Sequence, residues 1–401
     1  MKNKSTSRAA FFNLHASTAA VLRLTSVVVA LVGFGAFSTT VFGQETRIKA
    51  NSFIPAGCMW SSIVQDMPTP LVRAFGVYHD GNFYVVGGST SDTPGSDFPH
   101  VLELPGGCCS WIQRSDTLPD NQVSNMACGV LTVSGTHLIY CVGGSAVGAS
   151  VATARVFSYN PSTDTHTVLN SVDDWPGNPG SVLPGGFAVA NNKLYILGGF
   201  NINVASTNAI WEFDPNAAEG SRWTEKVNAP VGIMFAPACT INGIIYVAGA
   251  SDFQGGSIVD TTNSFSFDPV ANTIGSIAPI PRATGEARAL SFNDNMLVMG
   301  GGRVAPNPSN EVDTYDPPTD TWTTSAGVLV PVGVTVPSFT TARRDFPSDT
   351  DGSQFLWLSG GYDADGKPLS STESAHCPGA GGPPPRATPT PCPRPTPHPR
   401  P

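Results

Sequence analysis

The sequence predicts an all-β protein assembled from a repeated unit of four antiparallel strands. Three observations carry that prediction. With 42 Gly and 36 Pro among 401 residues, the chain is punctuated too densely for a helical bundle or coiled coil. An apolar run ending in a small-residue doublet recurs six times, at Gly88, Gly144, Gly199, Ala250, Gly301 and Gly361, with spacings of 56, 55, 51, 51 and 60 residues. Before five of these runs stands a turn pair suited to a two-residue hairpin.

Within each unit the strands follow from local chemistry. Asp80-Gly81, Ser134-Gly135, Asn191-Asn192, Asn242-Gly243 and the stretch 293–295 separate the first strand from the second, because both central residues of a type I′ turn need positive φ. The sixth unit carries a longer insert, 345–353, in that place. The second strands (FYVV, LIYCV, KLYIL, IIYVA, MLVM, FLWL) are continuous apolar runs, as expected where both faces are covered. A third strand ends in an aromatic, then Asp or Asn, then Pro, as in VFSYNP at Pro161, IWEFDP at Pro215, SFSFDP at Pro269 and VDTYDP at Pro317. Asp or Asn bonds the following backbone and Pro fixes φ, so the chain turns there. A fourth strand follows, opening at Trp111, Trp223 and Trp322 in three units.

The Gly-Gly doublet, the aromatic-Asp-Pro turn and the following Trp, at a period near fifty, resemble the kelch repeat across residues 58–377. Departures are Gly249-Ala250, the missing Trp in the second and fourth units, and His376-Cys377-Pro378 in place of the last turn. The resemblance implies a six-bladed β-propeller, whose radial repetition leaves only short edges. The sixth unit reaches only its third strand, whereas Cys58-Met59-Trp60 reads as a fourth strand lacking its own first three. The N-terminal strand is therefore expected to complete the last blade and to bring Cys58 beside Cys377, where a disulfide would lock the ring. Facing positions of a two-residue hairpin are equidistant from its turn, which sets Cys128 opposite Cys141, either bridged or as two small buried thiols.

The two ends read differently. Residues 1–43 hold four cations and no acid, with an uncharged stretch at 24–43, the pattern of a secretory signal peptide cut after Gly43 or, if uncut, of a membrane anchor. Residues 44–57 form a short lead. Residues 378–401 contain 11 Pro in 24 and read as an extended polyproline II tether with Cys392 inside it. An exported chain, secreted, periplasmic or at the cell surface, suits eight cysteines with no zinc-type spacing. Residues 44–377 hold 14 Lys plus Arg against 30 Asp plus Glu, a net charge of −16 that argues against nucleic-acid partners. A monomer is expected, with contact to membrane only through an uncut leader.

In the kelch family, binding and catalysis use the face formed by the loops between strands two and three and between blades. Counting seven residues back from the hairpin turn gives Arg73 in the first unit and Glu286 in the fifth. With Arg282, Arg288 and Arg303 they form the best charged cluster, read either as a pocket for a carboxylate or sugar acid or as inter-blade salt bridges. Glu286 is the one weak catalytic candidate, since kelch enzymes include sugar epimerases similar to sialic-acid mutarotase. Copper radical oxidases need two His at the axis, and only His100 and His376 lie outside the ends and hairpin turns, so no copper site is expected. Asp349-Thr350-Asp351-Gly352 matches part of a calcium loop without its remaining ligands. The reading is thus a binding scaffold for a protein or glycan, with a sugar epimerase as the alternative, and with no cofactor or metal.

Overall fold

The computed structural model describes residues 57–62, 64–108, 110–201, 205–302, 308–325 and 336–378. The leader, Cys109, Arg303, Cys392 and the Pro-rich tail lie outside the described residues. Among those described there is no α-helix. The chain opens with β1 (Met59–Ser61) and then lays down blade 1, β2 (Phe75–His79), β3 (Asn82–Val86), β4 (Val101–Leu104) and β5 (Ile112–Gln113). Blade 2 is β6 (Ala127–Val133), β7 (Thr136–Val142), β8 (Val156–Asn160) and β9 (Thr165–Val168). Blade 3 is β10 (Val182–Ala190), β11 (Lys193–Asn201), β12 (Ala205–Phe213) and β13 (Trp223–Glu225).

Blade 4 combines β14 (Ala238–Ile241), β15 (Ile244–Ala248), β18 (Ser264–Asp268) and β19 (Thr273–Ser276), with a separate hairpin, β16 (Ser251–Gln254) and β17 (Ser257–Asp260), in its second connection. The segment 251–254, in the connection between the second and third strands of the blade, is a strand: it pairs residue for residue with 257–260 across a Gly255-Gly256 turn. Blade 5 is β20 (Arg288–Phe292), β21 (Asn295–Met299), β22 (Val312–Asp316) and β23 (Thr321–Thr324). Blade 6 is β24 (Ser348–Thr350), β25 (Phe355–Ser359) and β26 (Thr372–His376), closed by β1 pairing antiparallel with β26, Met59 facing His376. Its first strand lies inside the insert 345–353, which is thus not all loop.

The hairpin turns take the expected form. Asp80, Ser134, Asn191, Asn242 and Asn293 all have positive φ, as do the residues after them. Six apolar clusters fill the gaps between neighbouring blades, one for each adjacent pair, from Phe83 and Trp357 between blades 1 and 6 to Met296 and Ile241 between blades 4 and 5. Because every blade is covered on both sides, its second strand is mostly buried beyond its first residues, and this is why most of those strands lack alternation. The indole N–H groups of Trp60, Trp111, Trp223 and Trp322 donate to backbone carbonyls of Pro337, Gln65, Asp173 and Ala278, at 2.7–2.8 Å. Each ties the outer strand of a blade to the segment that enters that blade.

The glycine doublets mark where the link into the next blade crosses close overhead. At Gly360 a Cβ would lie 2.3 Å from the Leu71 carbonyl oxygen, and the N–H of Gly361 donates to that same oxygen at 2.8 Å. Gly300-Gly301 is built likewise under Arg343. The departure at Ala250 keeps the geometry, with φ +102 and its N–H bonded to Thr284 O at 2.7 Å. Three arginines, Arg155 and Arg343 buried and Arg282 part-buried, anchor the first carbonyl of a doublet: Arg155 on Gly143, Arg282 on Gly300 and Arg343 on Gly360. Each is neutralised by a carboxylate, Asp120, Asp313 and Glu373 respectively.

Two disulfides are formed, Cys58–Cys377 across the seam and Cys128–Cys141 within blade 2. Cys128 and Cys141 face each other in register, so of the two arrangements left open the bridge is the one present. Cys239 is a buried thiol, pushed well up by burial and hence unreactive.

Candidate functional site

The innermost strands begin with a shared backbone irregularity. Arg73, Asn125, Phe235, Glu286 and Asp345, from blades 1, 2, 4, 5 and 6, all sit in the left-handed region, with φ between +49 and +59. For residues with a Cβ this conformation costs on the order of 1–2 kcal/mol each and needs compensation. Main-chain bonds from blade to blade supply it. Asn125 N donates to Arg73 O, Arg73 N to Asp345 O, Asp345 N to Glu286 O and Glu286 N to Phe235 O, at 2.7–3.1 Å. The same count of seven residues that picks out Arg73 and Glu286 also lands on Phe235 from Asn242, a signal that the charge-based reading passes over.

These residues surround a cavity of about 410 Å³ on the face carrying the second connections. One wall is charged and comes from blades 1, 5 and 6. Arg73 pairs with Asp92 and donates to Ser89 Oγ at 3.3 Å, while Arg344 pairs with Glu286. Both guanidiniums lie against the Tyr362 ring, at 5.5 and 4.4 Å from its centroid, and the Tyr362 hydroxyl donates to Asp92 at 2.5 Å. The opposite wall is apolar, with Leu183, Phe200, Met234, Phe235 and Ile258, part of a seventh cluster built by the long β11–β12 hairpin and β16–β17.

The charges are tuned by these contacts. Burial opposes ionisation of Asp92, but the Tyr362 hydrogen bond and the Arg73 charge hold its carboxyl below the usual carboxylate range. Burial, seconded by the bond to Asp92, raises the Tyr362 phenol, so it stays a donor at neutral pH. Although burial lowers it, the Arg344 guanidinium is held above its ordinary value by Glu286.

The structure brings together only part of the predicted cluster. Arg73 and Glu286 face the cavity; Arg344, Tyr362, Asp92, Asn125, Phe235 and Asp345 complete it. Arg282 is committed elsewhere, bonding Gly300 O at 2.9 Å and Asp313 at 3.0 Å within the blade. Arg288 lies deeper on the axis, where Nε donates to Phe346 O at 2.6 Å and an Nη to Ala74 O at 3.1 Å. It bridges three blades and, together with Arg73 and Glu286, lines a narrow constriction of about 40 Å³ beneath the mouth, without lining the larger cavity itself. No group of His, Cys, Asp or Glu among the described residues is arranged to hold a metal ion. On the opposite face His79 and His137 meet at 5.2 Å between ring centroids.

Comparisons with known proteins agree with this architecture. The model of the Kelch motif matches residues 126–172 and 283–327, which span blade 2 and blade 5. The chain is similar to Kelch-like protein 25 of Xenopus tropicalis, 23% identical over 219 residues, covering 53% of this chain and 34% of that protein. It is also similar to Kelch repeat and BTB domain-containing protein 1 of vaccinia virus, 25% identical over 226 residues, covering 55% of this chain and 36% of that protein. The matched stretch thus spans about a third of the length of these curated relatives. Among solved structures, that of YjhT superposes with a TM-score of 0.58 at 16% identity, covering 77% of this chain and 96% of the other, a likeness of fold alone.

Proposed function

Since the chain belongs to the kelch-repeat family, a fold that serves generally as a protein-interaction scaffold, we propose that it is an exported scaffold gripping a carboxylate of its partner at the axial mouth. The observation that carries this reading is Asp92. Its side chain is 63% exposed, on the connection 89–97, yet its carboxylate is docked on Arg73 and Tyr362. It occupies the place that a ligand carboxylate would take, with the apolar wall of Phe200, Phe235 and Ile258 left to receive the body of the ligand. Two disulfides are compatible with an extracellular setting.

Calorimetric titration with sugar acids and with peptides ending in a free carboxylate tests this. A binder is expected whose affinity drops by roughly tenfold to a hundredfold in Arg73→Ala, the loss of one charge-assisted bond of about 1.5–3 kcal/mol. Asp92→Ala should tighten the same ligand, because the internal competitor is gone. Failure of the whole panel to bind, or indifference to both substitutions, removes the proposal.

A second reading, an enzyme acting on sugars, is favoured by one observation: the Glu286 carboxylate lines the same cavity as Arg73 and Arg344, an acid–base group beside arginines that could orient a substrate. Exchange of sugar anomers followed by NMR, abolished in Glu286→Gln, would select it over the scaffold.

A further inference from the structure

The opposite end of the axis holds a second cavity, of about 460 Å³, bounded by the innermost strands of all six blades. Its inner end is stopped by Arg288 and by Phe75 and Phe187, whose rings meet edge to face at 5.5 Å between centroids. Its outer end is framed by Tyr78, Thr240, Ser291 and the turn at Gly352. This is the reverse of the face that bears the Arg73 site, and the reading above makes no use of it.

One feature of its wall lacks an internal explanation. Asp349, on β24, points its Oδ2 at the backbone N–H of Tyr78 in blade 1, at 2.6 Å, and forms no ion pair with any described residue. The other charges around it are spoken for. Asp351, in the same turn, accepts the backbone N–H groups of Ser353, Gln354 and Phe355 on one oxygen, at 2.7–3.0 Å. Arg288, on β20, is spent on two backbone carbonyls, with Asp345 at 3.8 Å. On β2, Tyr78 contributes only its backbone N–H to the carboxylate, and its phenol, raised by burial, remains neutral. On β25 the facing residue is Trp357.

Asp349 is part-buried, and a carboxylate partly withdrawn from water without a counter-ion is stabilised either by taking up a proton or by taking up a cation. The aromatic pair Phe75–Phe187 lining the same cavity favours the second, because a ring quadrupole attracts ammonium, and the net charge of −16 on residues 44–377 draws cations toward it. We propose that this axial cavity is a binding site for a small organic ammonium ion carrying an apolar or aromatic body, with Asp349 as its counter-ion and Phe75 and Phe187 at its inner end. Inorganic cations fit less well, since the wall offers one carboxylate without an ion-pair partner where a divalent ion needs several oxygens.

The proposal carries a pH signature. Burial, acting against the Tyr78 and Thr350 backbone bonds, pushes the Asp349 carboxyl up to about 7. Below that pH the site is neutral and binds an ammonium ion weakly; above it the counter-ion is present and binding strengthens.

The test uses the full chain, benzylamine as the probe and benzyl alcohol as its uncharged match, with binding followed by ligand-observed NMR and calorimetry. At pH 8 benzylamine should bind one to one and at least tenfold more tightly than benzyl alcohol. Its affinity should fall about tenfold between pH 8 and pH 6, with the alcohol unchanged. Asp349→Asn, which keeps an acceptor for Tyr78, should bring amine and alcohol to the same affinity and flatten the pH profile, whereas Arg73→Ala should alter neither. Equal affinity of the two probes, no binding of either, a flat profile in the unmodified protein, or loss of amine binding in Arg73→Ala would overturn the proposal. The first three readings need no variant, so they stand even if Asp349→Asn folds poorly. Since Arg73 leaves this site untouched, failure here is separate from failure of the carboxylate site.

Discussion

Replacing Cys58 or Cys377 by serine should lower the melting temperature of the oxidised protein by about 6 °C. The bridge joins residues 319 apart in sequence, so opening it releases nearly the whole ring in the unfolded chain. Loop-closure entropy for so long a span corresponds to an upper value of about 5–6 kcal/mol, and native disulfides more commonly contribute 2–5 kcal/mol. Spread over roughly 320 cooperative residues, about 4 kcal/mol corresponds to the stated shift. Only three residues of β1 hold the seam by backbone pairing, so little else substitutes for the covalent tie. Differential scanning calorimetry with and without reductant decides the matter: unmodified and substituted proteins should converge once reduced. A deficit of equal size in both conditions would mean that serine disturbs the packing around Ala375 and Leu356 and that the tie itself contributes nothing.

Arg343→Met should destabilise the ring by about 3–5 kcal/mol, the usual cost of stranding one member of a buried ion pair. Arg343 is fully buried and gives hydrogen bonds to Gly360 O, to Ser371 and to Glu373, the last at 2.8 Å. Glu373, only 1% exposed, also receives the backbone N–H groups of Thr340 and Thr341 at 2.6 and 3.0 Å. With the cation removed, that carboxylate keeps its desolvation cost and loses its counter-charge. Adding Glu373→Gln should therefore restore part of the loss, since Gln removes the stranded charge and its one amide oxygen still accepts from one of the two threonine N–H groups. Urea unfolding with an unchanged m-value is the measurement. A double variant no better than the single would show that the arginine acts by packing under the doublet and not by pairing.

Much of this architecture is legible in the residues because repetition amplifies weak signals. A lone Asn-Gly is a modest hint, but five hairpin turns, six doublets and the Trp residues recur in one order; the kelch resemblance they carry implies the ring, and counting places its seam, Cys58 beside Cys377 and Cys128 opposite Cys141. The site is less legible for a physical reason. Left-handed backbone is inferred from Gly or Asn, whereas here Arg73, Phe235, Glu286 and Asp345 adopt it under tertiary hydrogen bonds that no local pattern announces. Charge alone groups Arg282 with Arg73, although Arg282 serves a glycine carbonyl as Arg155 and Arg343 do. Tyr362 follows its doublet directly and Asp92 lies in the connection after the first doublet, yet their meeting joins blade 6 to blade 1, a contact between residues 270 apart.

The left-handed positions also bear on how such a ring can change its preferences. The bonds that join Asn125, Arg73, Asp345, Glu286 and Phe235 run through amides and carbonyls, so they make no demand on what each residue carries beyond its Cβ. An amide, a guanidinium, two carboxylates of different length and an aromatic ring already occupy that one position. The lip of the cavity is therefore a fixed frame with interchangeable lettering. Substitutions there can redirect recognition from one chemistry to another while the spacing between letters stays set by the main chain.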